Sequence, residues 1–157
     1  MKEVKLSELT GAQKRAIDAA EEALKTSYNP YSNFAVAAAL ITSDGEIITG
    51  SNVENAAYGS TICAERSALV RANAMGKRDI KSLVVMTGAK AETSKVSMPC
   101  GACRQMIYEA SRVSGSDIEV IHLSLRKDKV LVSPISELLP FAFGPDDIGV
   151  DLSRFRD

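Results

Sequence analysis

The chain carries three cysteines, and all of them fall in two short segments, Cys63-Ala64-Glu65-Arg66 and Pro99-Cys100-Gly101-Ala102-Cys103. Each segment opens a run with helical spacing. Two sulfurs placed Cys-x-x-Cys at a helix start reach a common point, and Cys63, at the start of a second helix, can supply a third. A fold that unites them must bring two helix starts together, which restricts the architecture more than any compositional figure does. The count is odd, and the N-terminus, Met1-Lys2-Glu3-Val4-Lys5, is charged and lacks the apolar run of a secretory signal. Both features argue against a disulfide framework. Three core thiols remain the plain alternative.

The rest of the pattern alternates helix and strand. Thr10-Gly11-Ala12-Gln13 has the spacing of a capping box, and Ala16, Ile17, Ala20, Ala23 and Leu24 then recur on one helical face until Asn29-Pro30. Phe34 to Thr42 is an apolar run, Ser43-Asp44-Gly45-Glu46 a turn signal, and Ile47-Ile48-Thr49 resumes extended character, which predicts a β-hairpin. A helix is predicted over 63–74 with Gly76 as its C-cap, a buried strand over 82–86, and a helix from Pro99–Cys100 to about Ser111. Strands over 118–125 and 130–133 and a short helix over 135–139 complete the reading. The charged run Arg126-Lys127-Asp128-Lys129 is a solvated turn between the last two strands. This order predicts an α/β fold, a three-layer α/β/α domain with a mixed sheet of about five strands and helices on both faces.

At 157 residues the chain is expected to form a single catalytic domain over 1–157. Hydrophobic residues make up 45% and charged residues 25%, the balance of a soluble globular protein, and no apolar stretch is long enough to span a membrane. A cytoplasmic location is expected. The net charge of −1 lacks the basic excess of a protein that grips a phosphate backbone, so nucleic acid is not an expected partner and an editing role is disfavoured.

The chemistry of the two motifs favours a metal. Helix N-termini carry partial positive charge and free N–H groups that stabilise thiolates, the form of cysteine that binds zinc. Closed structural zinc sites have four protein ligands, whereas catalytic sites keep a position for water. The single histidine, His122, lies in a strand-like run and is read as a buried or edge residue, not as a fourth ligand. Glu65, two residues from Cys63, is placed to exchange protons with a water whose pKa zinc lowers. Arg66 can offset the excess negative charge of three thiolates by donating hydrogen bonds to sulfur.

At these residues the chain resembles the small, homotetrameric, zinc-dependent cytidine deaminases. The matching segments run in order: Tyr28-Asn29-Pro30-Tyr31-Ser32-Asn33-Phe34, Asn52-Val53-Glu54-Asn55-Ala56-Ala57-Tyr58-Gly59, Cys63-Ala64-Glu65-Arg66, Pro99-Cys100-Gly101-Ala102-Cys103-Arg104-Gln105, and Glu137-Leu138-Leu139-Pro140-Phe141-Ala142-Phe143-Gly144-Pro145. The zinc motifs mark the whole deaminase superfamily; the Asn-Val-Glu-Asn and Phe-Gly-Pro segments narrow it to nucleoside deaminases. The resemblance implies hydrolytic conversion of cytidine and deoxycytidine to uridine and deoxyuridine with loss of ammonia. It implies one zinc per chain on Cys63, Cys100 and Cys103, and Glu65 as proton shuttle. It implies that Arg66 hydrogen-bonds the ligand sulfurs, that Phe34 packs on the pyrimidine, that Asn52 and Glu54 hold a ribose hydroxyl, and that the Ala64 N–H binds the base carbonyl oxygen. It further implies that Phe143 is delivered into a neighbouring subunit's site in a homo-oligomer, a tetramer by family type.

Ala37 stands where many relatives have glycine and Ser51 where many have cysteine; neither change removes a catalytic group. The stretch Thr87–Ser97 carries no family motif. Taken alone, Phe34 reads as core, Asn52 and Glu54 as turn residues at a strand end, and Phe143 as tail packing. Two other readings stand beside the nucleoside deaminase: a deaminase of another aminated pyrimidine nucleoside such as blasticidin S, and a structural zinc-binding module.

Overall fold

A computed structural model of the chain describes residues 1–89 and 96–156. The apolar run from Phe34 forms strand β2 (Phe34–Thr42), which turns back through Gly45 into β3 (Ile47–Ser51). Strand alternation splits β2 between two cores. Ala37, Ala39 and Ile41 face one side and Ala38 and Leu40 the other, all buried. The next strand, β4 (Ile80–Ala89), divides in the same way, with Val84 and Met86 in one cluster and Leu83 and Val85 in the other. A strand apolar on both faces must be covered on both, which requires helical layers above and below the sheet.

Helix α1 (Gly11–Ala23) covers one face with Ala16, Ile17 and Ala20. Helices α2 (Ala64–Ala74) and α3 (Gly101–Ser114) cover the other, joined there by the short α4 (Ile135–Leu138). Strands β5 (Glu119–Ser124) and β6 (Val130–Pro134) extend the sheet, and β1 (Lys2–Val4) closes its far edge. The strand order is β1-β6-β5-β4-β2-β3, with β4 and β5 parallel and every other pair antiparallel.

The three-layer mixed sheet matches the sequence expectation; among the described residues it has six strands, against about five expected. The extra one, β1, pairs its Lys2, Glu3 and Val4 with Val132, Leu131 and Val130. Its Lys2 and Glu3 are exposed at a sheet edge, so it has no apolar alternation to announce it. Helix ends also differ. The first helix leaves α geometry at Ala23, and one 3-10 turn over Leu24–Thr26 carries the chain toward Asn29. The third runs past Ser111 to Ser114, whose fully buried hydroxyl accepts from the Ile80 N–H at 2.9 Å; Gly115, at φ +62°, ends it. The predicted capping box of α1 and the Gly76 terminus of α2 both form: Thr10 Oγ1 accepts from the Gln13 N–H at 3.2 Å, and Gly76 adopts φ +72°.

Topology gathers one end of the sheet. The crossover β4–α3–β5 joins parallel strands, so α3 begins beyond the carboxyl end of β4, where ligands of open α/β sheets bind. The antiparallel β2 places Phe34 opposite Ala89 at that same end, and β3 exits there through Ser51 into Asn52. Small residues on α2 (Ala64, Ala68 and Ala72, all buried) let it lie close to β3. At Gly50 the approach is closest: an added Cβ would sit 2.4 Å from the Ala68 nitrogen and 2.9 Å from the Ala64 carbonyl oxygen.

This contact generates a prediction. Gly50→Ala forces helix backbone away from the sheet and should destabilise the fold by about 1–3 kcal/mol or more, the usual size of an overpacking penalty. Chemical denaturation measures it; a change under about 0.5 kcal/mol, the range of neutral surface substitutions, would contradict the packing.

Candidate active site

Cys63 and Cys100 are the N-cap residues of α2 and α3, both with extended backbone, and neither side chain caps its own helix. Their carbonyls accept the first intrahelical bonds, from Ser67 and Arg104 at 3.0 Å each. The sulfurs are thereby left to point at each other. Cys103 is the third residue of α3 and fully buried. The three sulfurs lie within 4.8 Å of one another, with Cys63–Cys100 at 4.0 Å and Cys100–Cys103 at 3.5 Å. Tetrahedral zinc with Zn–S bonds of about 2.3 Å spaces its sulfurs about 3.8 Å apart, so the cluster already has the dimensions of a three-sulfur zinc site.

The electrostatics agree with that spacing. The hydrogen bond from Cys103 pulls the Cys63 thiol down to about 6, with Arg66 favouring the thiolate as well, while Cys103, holding that proton in a buried position, is pushed up. Pro99 and Cys100 are held in place by Arg104, which donates to the Pro99 carbonyl at 2.9 Å and to the Leu138 carbonyl at 3.0 Å, tying the start of α3 to α4.

Glu65 occupies the first turn of α2 and is buried at 4% exposure. Burial raises its pKa, against the opposing effect of hydrogen bonds and of Arg66. Arg66 donates from Nη2 to the Thr61 carbonyl at 3.1 Å; its charge, in addition, acts on both Cys63 and Glu65. His122 is fully buried far along β5, with Nε2 3.5 Å from the Ser133 hydroxyl, and burial pushes its pKa to about 4. It is not part of the sulfur cluster.

Beside the sulfurs lies a cavity of about 180 Å³ whose wall includes Phe34, Asn52, Glu54, Cys63, Ala64, Glu65 and Cys100. Seven residues named from the sequence thus share one concave surface. Phe34 is about one-third exposed at the mouth of β2. The N–H of Ala64 belongs to the first turn of α2, where backbone donors have no intrahelical partner. Glu54 accepts from the Tyr31 and Ser32 N–H groups at 2.9 and 3.2 Å, and Ser32 holds its carboxyl below the usual range. Phe143 does not line this cavity; it is 65% exposed on the tail, its carbonyl accepting from Gln105 at 2.9 Å.

The sequence did not single out Val36, Thr61, Val85 or Met98, which also line the cavity. Thr61 carried one signal, its place just before the Cys63 motif. Val36 and Val85 look like core in any strand. Of the stretch Thr87–Ser97, residues 90–95 lie outside the described residues, whereas Thr87 and Ser97 both reach the cavity wall.

Comparison with known proteins agrees with this geometry. Residues 11–115 match the family model described as the cytidine and deoxycytidylate deaminase zinc-binding region. The chain is 44% identical over 135 residues to the cytidine deaminase of Halalkalibacterium halodurans, covering 86% of this chain and 93% of that one. It is 38% identical over 129 residues to the cytidine deaminase of Mycobacterium tuberculosis, covering 82% and 87%. The crystal structure of cytidine deaminase from Burkholderia pseudomallei superposes with a TM-score of 0.75 at 42% identity, covering 86% of this chain and all of that one. The M. tuberculosis enzyme's structure gives 0.68 at 34% identity, covering 84% and 97%. Sequence match, fold and three clustered sulfurs agree: the chain belongs to the zinc-binding cytidine deaminase family.

Proposed function

We propose that this chain is a single-domain enzyme that removes the amino group of cytidine and deoxycytidine by hydrolysis, releasing ammonia and leaving uridine or deoxyuridine. The observation that carries the reading is a cluster of three sulfurs, two of which, Cys63 and Cys100, meet the buried Glu65 carboxylate at the wall of one cavity.

In this reading Cys63, Cys100 and Cys103 hold the zinc. The bound metal supplies a Lewis acid that acidifies a water at neutral pH. Everything else falls to the chain's own groups. Glu65, buried and raised in pKa, takes a proton from water and returns protons to the ring nitrogen and then to the leaving amine. The Ala64 N–H donates to the base carbonyl oxygen. Phe34 packs against the ring. Asn52 and Glu54 hold a sugar hydroxyl, so that binding away from the reacting carbon orients the ring. Arg66 offsets the negative charge of the thiolates; its support for sulfur runs through charge and through its hold on Thr61. That sugar-directed pair favours ordinary nucleosides over other aminated pyrimidines, and a buried carboxylate at the cluster favours an enzyme over a structural zinc module.

The proposed active form is a cytoplasmic homo-oligomer, a tetramer, with no nucleic-acid or membrane partner. Among the described residues, no helix is long and apolar enough to cross a membrane. The support for assembly is the tail. Phe143 is 65% exposed and Phe141, in the left-handed region at φ +56°, is fully exposed. Two neighbouring aromatics left in water are a surface that association would cover, and Phe143 seated in an adjoining chain would help exclude water from the ring.

Two outcomes test the reading. Glu65→Gln should keep the fold and the zinc while kcat for cytidine falls by about 10²–10⁴-fold, the span of a general acid–base group; activity within a few-fold of the unmodified enzyme would move the proton transfers to another residue. Phe143→Ala should raise KM or lower kcat without loss of metal, and sedimentation at assay concentration should find an oligomer. A fully active monomer would refute the shared site.

A further inference from the structure

The amide of Asn52 is held by three hydrogen bonds at the cavity wall. It is 8% exposed. Its Oδ1 accepts from the Val36 N–H at 2.9 Å and from the Ser27 hydroxyl at 2.5 Å, and its Nδ2 donates to the Phe34 carbonyl at 3.0 Å. A backbone N–H can only donate and a carbonyl can only accept, so these two partners fix which end of the amide is oxygen. A primary amide offers two acceptor lone pairs and two N–H donors. Both lone pairs and one N–H are therefore engaged, and a single N–H is left for a ligand.

Ser27 decides that count. It lies between the 3-10 turn that follows α1 and the segment of Tyr28, which bonds back to Asn52 and Glu54: the Tyr28 N–H donates to the Asn52 carbonyl at 3.0 Å and the Tyr28 carbonyl accepts from the Glu54 N–H at 2.8 Å. Glu54 shares the cavity and, as a carboxylate held below the usual range, can only accept. A wall with one donor from Asn52 and an acceptor from Glu54 complements a hydroxyl group, which accepts and donates at once. With the Oδ1 lone pair open, Asn52 would instead offer an acceptor beside an acceptor, and a water would compete for the position.

We infer that Ser27 is a positioning residue for substrate recognition: its hydroxyl closes the second lone pair of Asn52 Oδ1, so that Asn52 presents only a donor and, with Glu54, reads a sugar hydroxyl. The inference rests on the reading that Asn52 and Glu54 hold the sugar.

The test is kinetic, on the zinc-loaded enzyme, with cytidine, 2′-deoxycytidine and 3′-deoxycytidine as substrates. Ser27→Ala should lower kcat/KM about 3- to 10-fold, the worth of one hydrogen bond, mainly through KM. The loss should vanish for the analogue that lacks the contacted hydroxyl, and Ser27→Thr should restore the unmodified pattern. Should Ser27→Ala fail to fold, Ser27→Cys keeps the volume with a weak donor and is run on the same substrates. An equal loss on all three substrates, or no rescue by Ser27→Thr, would overturn the inference. Asn52→Ala is the parallel arm. If it penalises substrates according to their hydroxyls and Ser27→Ala does not, the sugar reading stands and the Ser27 inference fails. If Asn52→Ala penalises all three equally, the sugar reading fails and the inference with it.

Discussion

The meeting of two helix N-termini at one end of the sheet is the constraint on which the rest depends. Cys63 and Cys100 converge because α2 and α3 both begin there, and α2 can begin there only because Gly50 lets its backbone lie against β3. A helix start is also the place in a protein where unpaired N–H groups and partial positive charge favour thiolates. Architecture and chemistry therefore ask for the same thing, and the small residues Ala64, Ala68 and Ala72 on α2 serve both.

Three thiolates bring more negative charge than a dication offsets, and the surrounding residues respond to it. Arg66 adds a nearby positive charge while its hydrogen bond secures the Thr61 carbonyl ahead of the Cys63 motif. Glu65, kept from water, has its carboxyl raised instead of lowered, which suits the proton-exchange role proposed for it. Asn52 and Glu54, which line the same cavity, are each bound into backbone: Asn52 to β2, Glu54 to the Tyr31–Ser32 turn. Groups immobilised in this way lose little freedom when they meet a ligand.

Much of this was legible in the sequence because it depends on local signals. The cysteine spacing, the proline ahead of α3, the capping box at Thr10 and the terminal glycine of α2 each act within a few residues, and each appears in the fold. What was not legible depends on distant partners. The three residues of β1 become a strand only because β6 offers an edge, and α3 gains a turn because the Ser114 hydroxyl finds the Ile80 N–H at the start of β4. The role of Asn52 in bracing Phe34 and Val36, and the approach of Ser27 to it, rest on contacts 16 to 25 residues apart in the chain. Thr61 and Met98 reach the cavity through loop paths that no periodicity describes. The pattern of residues reports chemistry that is close in sequence; the second polar contact of each group comes from the fold.

The central claim is that three cysteine sulfurs, and no other protein group, form one zinc site. X-ray absorption at the zinc edge of the metal-loaded enzyme measures this directly. The account predicts three sulfur neighbours at about 2.3 Å and one lighter scatterer at about 2.0 Å per zinc. Two or fewer sulfurs, or the outer-shell signature of a histidine ring, would contradict it.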